Sequence, residues 1–182
     1  MRLGLSHRIS QTLDPKKFGY AVGQGALGIV CRTDDMETRK MLESLDHTET
    51  RWACEAERGV LRKLQGGCKV PIAIRTTIDN ASKHYIEEHP HTDSTGIART
   101  LHVWCSVMSM DGKTDVHATL TETLDSTNAS GCGPEIAIEK ARQLGQALGE
   151  KLLHKGADKL LEGIVDREGQ AHHAPTQTAQ QQ

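Results

Sequence analysis

Apolar residues recur along this chain with two distinct periods, and the change from one to the other divides it into elements. From Val70 to Ile78, and again from Arg99 to Met108, apolar and polar residues alternate, with Leu101, Val103, Cys105 and Val107 sharing one face. A period of two in runs rich in Val, Ile and Thr predicts β-strands. Thr114 to Thr123 alternates Val116, Ala118 and Leu120 with polar neighbours and predicts a third strand. Between the second and third strands, Met110-Asp111-Gly112-Lys113 reads as a hairpin turn with Asp-Gly at its tip. Elsewhere the spacing is helical. Ala53, Ala56, Val60, Leu61 and Leu64 form one stripe, on a helix capped near Asp46 or Thr48 and running to Leu64. Glu55, Glu57, Arg58, Arg62 and Lys63 are assigned to its remaining, solvated surface. Ala137, Ala141, Leu144, Leu148 and Leu152 form a second stripe, on a helix opening at Pro134 and ended by Gly156. A shorter helix follows the cap cluster Thr33-Asp34-Asp35 and extends to about Leu45, and another spans Asp158 to Val165.

This order, helix–helix–strand–strand–strand–helix–helix, predicts an α+β fold: a three-stranded antiparallel sheet with helices on one face, since that face must be covered to make a core. Residues 34–168 hold this domain. It is interrupted at 79–98 by a polar insertion, and residues 169–182 form an aperiodic Gln- and His-rich tail expected to be disordered. Residues 1–33 stand apart, broken by the turn signal Asp14-Pro15 and ending in a glycine-rich, strand-like run. They read as a remnant of a preceding α/β domain. Gly23, Gly25 and Gly28 match G-x-G-x-x-G, but Ile29-Val30-Cys31 after them is strand-like where a dinucleotide site needs a helix. The glycines are expected instead to let the backbone pass close to a strand or a ligand.

Composition narrows the function. Aromatic residues are 3% of 182, so the core is built from Leu, Ile, Val and Ala. A net charge of −2 gives no basic surface for nucleic acid or membrane. No apolar run approaches about 18 residues, and the first residues lack the apolar region of a secretory signal. Five cysteines, an odd number without a C-x-x-C pair, argue against a disulfide framework or a zinc knuckle and for a reduced, cytoplasmic protein. His84, His89 and His91 lie in the polar insertion and read as solvated loop histidines, so no metal site is expected.

One stretch carries candidate chemistry: Gly66-Gly67-Cys68-Lys69-Val70-Pro71, where a helical pattern stops and a strand pattern begins. The glycines and Pro71 make a tight connection that displays Cys68. Lys69, Arg62 and Lys63 would favour its thiolate, and the negative end of the preceding helix would oppose it. Cys31, Cys54, Cys105 and Cys132 read as structural.

Several linked segments carry a resemblance. They are Ala21-Val22-Gly23-Gln24-Gly25-Ala26-Leu27-Gly28-Ile29, His47-Thr48-Glu49-Thr50, Ala56-Glu57-Arg58, and Leu64-Gln65-Gly66-Gly67-Cys68-Lys69-Val70-Pro71-Ile72. Arg2-Leu3-Gly4-Leu5, Arg8-Ile9-Ser10 and Lys155-Gly156-Ala157 fit as well. In this order and spacing the chain resembles the C-terminal part of the porphobilinogen deaminase (hydroxymethylbilane synthase) family, over nearly all its length except 79–98 and the tail. The resemblance implies a three-domain transferase of haem and tetrapyrrole biosynthesis, monomeric at full length. Such an enzyme joins four porphobilinogen molecules into hydroxymethylbilane with release of ammonia. It implies a dipyrromethane cofactor held by a thioether to Cys68, with Gln24 and Gly25 beside it on a segment that returns to the first domain.

The family's catalytic aspartate, and most of the arginines that hold substrate carboxylates, belong to motifs absent from this sequence. No catalytic residue is therefore expected within the chain, and Asp34, Asp35 and Asp111 read as a helix cap and a turn. The alternative reading is a truncated, inactive cofactor-domain fragment. In either case the run 21–32, left without the strands it would pair with, is expected to invite aggregation.

Overall fold

Ser109 and Asp111 close the turn that sets the sheet's register. The Asp111 carboxylate accepts from the Ser109 hydroxyl at 2.6 Å and from the Lys113 N–H at 3.2 Å. Gly112 supplies the left-handed φ of 69° that the turn needs. Strands β2 (Arg99–Met108) and β3 (Asp115–Leu124) then pair antiparallel, with Val103 opposite Leu120 and Cys105 opposite Ala118. Strand β1 (Ile72–Asn80) pairs with the other side of β2, with Ile74 opposite Cys105 and Ile78 opposite Leu101, giving the order β1-β2-β3. The structure, a computed structural model, describes residues 3–64, 70–80, 98–124 and 134–161.

With a period of two, this register puts Ile74, Leu101, Val103, Cys105, Val107 and Ala118 on one face, all of them buried. Two helices cover that face. Helix α3 (Thr48–Lys63) buries Trp52, Ala56 and Val60, and helix α4 (Pro134–His154) buries Ala137, Ala141, Leu144, Leu148 and Leu152. Residues 157–161 add a further helical turn that buries Ala157 and Leu161. The α+β architecture of an antiparallel sheet with a helical layer is thus the one expected.

The two helices cross at unusually close range because small residues line the seam. A methyl group on Gly145 would collide with the Ala56 carbonyl, one on Gly59 would lie 2.5 Å from the Arg142 carbonyl oxygen, and one on Gly149 would lie 2.7 Å from Lys63 Cβ. Charges beside the seam pin the crossing. The mostly buried Glu55 accepts from Arg142 Nε at 3.0 Å, and Arg58 lies 3.6 Å away.

Several boundaries move for physical reasons. Helix α3 is capped by His47, whose Nδ1 accepts from the Thr50 N–H, while Asp46 is drawn into an ion pair with Arg51 at 2.8 Å. Strand β1 starts at Ile72, after Pro71, which has no N–H to give a ladder. Helix α2 (Met36–Glu43) is capped by Asp35, which accepts from the Thr38 N–H and hydroxyl at 3.0 and 2.9 Å. Those bonds hold the Asp35 carboxyl below the usual carboxylate range.

The N-terminal region is only partly docked. Helix α1 (Pro15–Phe18) ends at Gly19, which lies so close to the Trp104 ring that a Cβ would be 2.9 Å from Cζ3. Tyr20 exchanges backbone hydrogen bonds with Ile74, and Arg75 stacks over Trp104 while donating to the Pro15 carbonyl. The strand-like run at 29–31 forms no strand. Residues 26–32 have no ladder partner among the described residues, and Leu27 and Val30 are each 95% exposed. At the opposite edge of the sheet, Lys155 and Lys151 of the helical layer donate to the His117 and Thr119 carbonyls of β3, occupying acceptors that another strand would use.

Two outcomes follow from the packing. Gly145→Ala should lower stability by about 1–3 kcal/mol or more, because backbone must move to admit the methyl. Gly28→Ala, in open space, should stay within about 0.5 kcal/mol of wild type. Equal urea midpoints for the two variants would contradict the close crossing. The second outcome concerns Cys105, whose thiol is pushed by burial, and then by nearby Glu57, from 9.0 up to about 12. A folded value above the unfolded one means that its contribution is full below about pH 9 and lost as pH rises toward 12, by up to about 1.4 kcal/mol per pH unit. Cys105→Ala should therefore flatten the alkaline fall in denaturation midpoint. An identical fall in both proteins would contradict the assignment.

Candidate functional site

Helix α3 has Arg62 and Lys63 in its last turn and ends at the buried Leu64, and the chain reappears at Val70, which packs against the core. Cys68 belongs to the link between them, and residues 65–69 lie outside the described residues. So do Cys132 and the histidines at 84, 89 and 91. The link thus joins the C-terminal end of α3 to the start of β1, two elements fixed by the core.

The glycine-rich segment folds as a turn. Gln24 N–H donates to the Ala21 carbonyl at 3.0 Å, Ala26 N–H donates to the Gly23 carbonyl at 3.1 Å, and the Gln24 side-chain Oε1 accepts from the Ala21 N–H at 3.0 Å. Gly23 and Gly25 take φ values of 69° and 85°, and Cβ atoms built there would meet nothing within 4 Å. Gln24 and Gly25 are exposed, so the turn shows a carboxamide and bare backbone to its surroundings. Val22 packs on the core beneath it.

What fixes this turn is a residue that the sequence reading assigned to the surface. Glu57 of α3 is 8% exposed, and both its oxygens are used. Oε2 accepts from the Gly23 N–H at 2.7 Å, and Oε1 accepts from the Thr76 hydroxyl of β1 at 2.8 Å. A legible signal was present: Glu57 falls four residues after Ala53 and three before Val60, inside the apolar stripe. An acid in that stripe marks a buried carboxylate with fixed partners.

The other candidates separate cleanly. Cys31 is exposed, Cys54 is half-buried, and Cys105 is buried. Burial, reinforced by Glu57, raises the Cys54 thiol as it does Cys105, so neither is a ready nucleophile. Cys31 lies on an open groove of about 630 Å³ with Leu27, Arg39, Leu42 and Arg51. Asp35 and Asp111 are the cap and the turn residue, as read. Among the described residues no group of three or more His, Cys, Asp or Glu side chains could hold a metal ion, and no helix is long and apolar enough to cross a membrane.

Comparison with known proteins gives this geometry a family. Residues 52–154, which run from Trp52 within α3 through the sheet to the end of α4, match the model of the porphobilinogen deaminase C-terminal domain. Residues 1–40, which contain the glycine turn, match the model described as the porphobilinogen deaminase "dipyromethane cofactor binding domain". Porphobilinogen deaminase of Chlorobium chlorochromatii is 39% identical over 164 residues, 90% of this chain and 43% of that protein. The Chlorobium limicola protein of the same name is 37% identical over 163 residues, with the same coverage. The Coxiella burnetii one is 36% identical over 160 residues, 88% of this chain and 42% of its own length. The chain thus spans less than half the length of these curated relatives. By these two matched regions it belongs to the porphobilinogen deaminase family.

Proposed function

We propose that this chain supplies the cofactor-bearing part of a hydroxymethylbilane synthase, the transferase that condenses four porphobilinogen molecules into hydroxymethylbilane with release of ammonia. Cys68 is the attachment residue, through a thioether between its sulfur and a pyrrolic methylene carbon of dipyrromethane. Gln24 and Gly25 are the cofactor-binding residues beside it. The observation that carries this reading is that one helix serves both groups: α3 leads directly into the Cys68 link, and its Glu57 holds the glycine turn.

The turn suits such a ligand. With Oε1 engaged by the Ala21 N–H, the Gln24 side chain has its Nε2 amide left to donate to a carboxylate, and Gly25 lets a flat ring approach the backbone. The bound group supplies an anchored pyrrole end on which the chain of porphobilinogen units grows. The protein's own part is to hold the sulfur at a fixed place and to orient the anchored rings with the turn. Residues 1–33 belong to a preceding domain in this reading and 34–168 to the cofactor-attachment domain, with an insertion at 79–98 and a tail at 169–182. The enzyme works as a cytoplasmic monomer without nucleic-acid or membrane partners.

A second reading concerns residues 1–182 as a separate polypeptide: an inactive cofactor-domain fragment. It is favoured by the exposure of Leu27 and Val30, apolar residues of a run with no ladder partner among the described residues.

In the complete polypeptide from its source, Cys68→Ala should abolish both the dipyrromethane adduct and hydroxymethylbilane formation, while Cys31→Ala keeps both. An adduct retained in Cys68→Ala would overturn the assignment. Residues 1–182 alone, supplied with porphobilinogen, should release no hydroxymethylbilane. Turnover by that polypeptide would remove the second reading.

A further inference from the structure

We propose that residues 14–20 form a strap that closes reversibly on the face of the sheet opposite the helices, with Gly19 as its seat and Arg75 as its latch. Residues 1–40 and 52–154 match separate domain models, so a strap from the first held on the sheet of the second is a clasp between the two. The seat lies in the outer face of the sheet. Val103 and Cys105 are buried in the core, so Trp104 between them points the other way, opposite Arg75 of β1 and beside Ala73. Gly19 rests on this group: a Cβ there would lie 2.9 Å from Trp104 Cζ3, 3.1 Å from the Ile74 carbonyl oxygen and 3.2 Å from Ala73 Cβ. Its φ of 63° with ψ of −167° is also a backbone conformation that belongs almost wholly to glycine. Space and conformation thus demand the same residue independently.

The latch is one guanidinium with two tasks. Arg75 Cζ lies 5.2 Å from the centroid of the Trp104 ring, and Nη1 donates to the Pro15 carbonyl at 3.1 Å. It ties the first turn of α1 to the same ring that seats Gly19. Tyr20 completes the closure on the outer edge of β1, where its N–H donates to the Ile74 carbonyl at 2.6 Å and its carbonyl accepts from the Ile74 N–H at 2.8 Å. The strap itself is preformed. Asp14 accepts from the Lys16 N–H at 2.9 Å, and the Gly19 N–H donates to the Pro15 carbonyl at 3.2 Å. Its residues Pro15 to Phe18 are all exposed, so it lies on the surface and can leave without unpacking the core. Tyr20 leads straight into the glycine turn at Ala21, and closure therefore also fixes where that turn begins.

The test uses amide hydrogen exchange by NMR on the full 182-residue chain. The Tyr20 and Ile74 N–H groups report closure, and the β2 amides report the sheet. In wild type the two reporters should exchange faster than the β2 amides, because the strap opens while the sheet stays paired. Gly19→Ala should speed both reporters on the order of tenfold or more, with β2 protection unchanged. Arg75→Ala leaves the seat and the backbone bridge in place and should speed them about three- to tenfold. Arg75→Lys keeps a cation able to lie on the ring and should recover part of that loss.

A second readout is trypsin cleavage after Lys16 or Lys17, followed by mass, since cutting there requires the strap to open. It should run faster in Gly19→Ala and Arg75→Ala than in wild type. Reporter exchange and cleavage in Arg75→Ala equal to those of wild type would overturn the latch. Reporters as slow as the β2 amides in wild type, or β2 protection lost together with theirs in Gly19→Ala, would overturn the strap, because the segment would then open only with the whole sheet.

Discussion

The crossing of α3 and α4 is the constraint on which the rest of this structure depends. At Gly59, Gly145 and Gly149 the two helices approach until backbone meets backbone or side-chain stem, and no side chain of any size fits between them. Such an approach gains close packing over a long seam and forgoes the conformational economy of alanine at each glycine. It fixes the rotation of α3 about its own axis. That rotation turns Ala56, Val60 and Leu64 to the core and brings Glu57 to Thr76. A looser crossing would leave the apolar stripe satisfied and the carboxylate unplaced.

From that rotation the candidate site follows. One helix, held against the sheet by its small-residue seam and by the Glu55–Arg142 pair, carries a grip for the glycine turn in its middle and the Cys68 link at its end. The turn itself makes few bonds and cannot define its own position. The same economy explains the exposed run after it. Beyond Ala26 the segment has no buried carboxylate and no ladder partner among the described residues to hold it, and Leu27 and Val30 project into solvent. The run supplies apolar surface and strand-forming residues, and in the proposed enzyme the preceding domain is what they would join.

The sheet and both long helices were legible because each rests on a strong period. Leu101, Val103, Cys105 and Val107 keep one buried face along the central strand, and Ala137 to Leu152 keeps its stripe along α4. Less legible were features in which two distant segments meet. Nothing near Glu57 in sequence says that Gly23 will be its partner, and a charged residue among Glu55, Arg58 and Arg62 looks like solvated surface unless its place in the stripe is counted. Trp52 was missed for a similar reason, since it opens the stripe one turn before Ala56. The cap of α3 went to His47 because Asp46 had an arginine to pair with, a competition that local propensity does not express. The strand reading of 29–31 failed for want of a partner, since a strand is a property of a pair. For the site, the family motifs pointed to Cys68, Gln24 and Gly25, and the fold added the buried acid linking the turn to the thiol's helix.

In the proposed function the Cys68 thiol, and none of the other four, carries the cofactor. The most direct test of that claim is the intact mass of the endogenous protein from its native source, followed by peptide mapping across all five cysteines. A dipyrromethane adduct confined to the Cys68 peptide is the predicted result. An unmodified Cys68, or an adduct on Cys31, Cys54, Cys105 or Cys132, would contradict it.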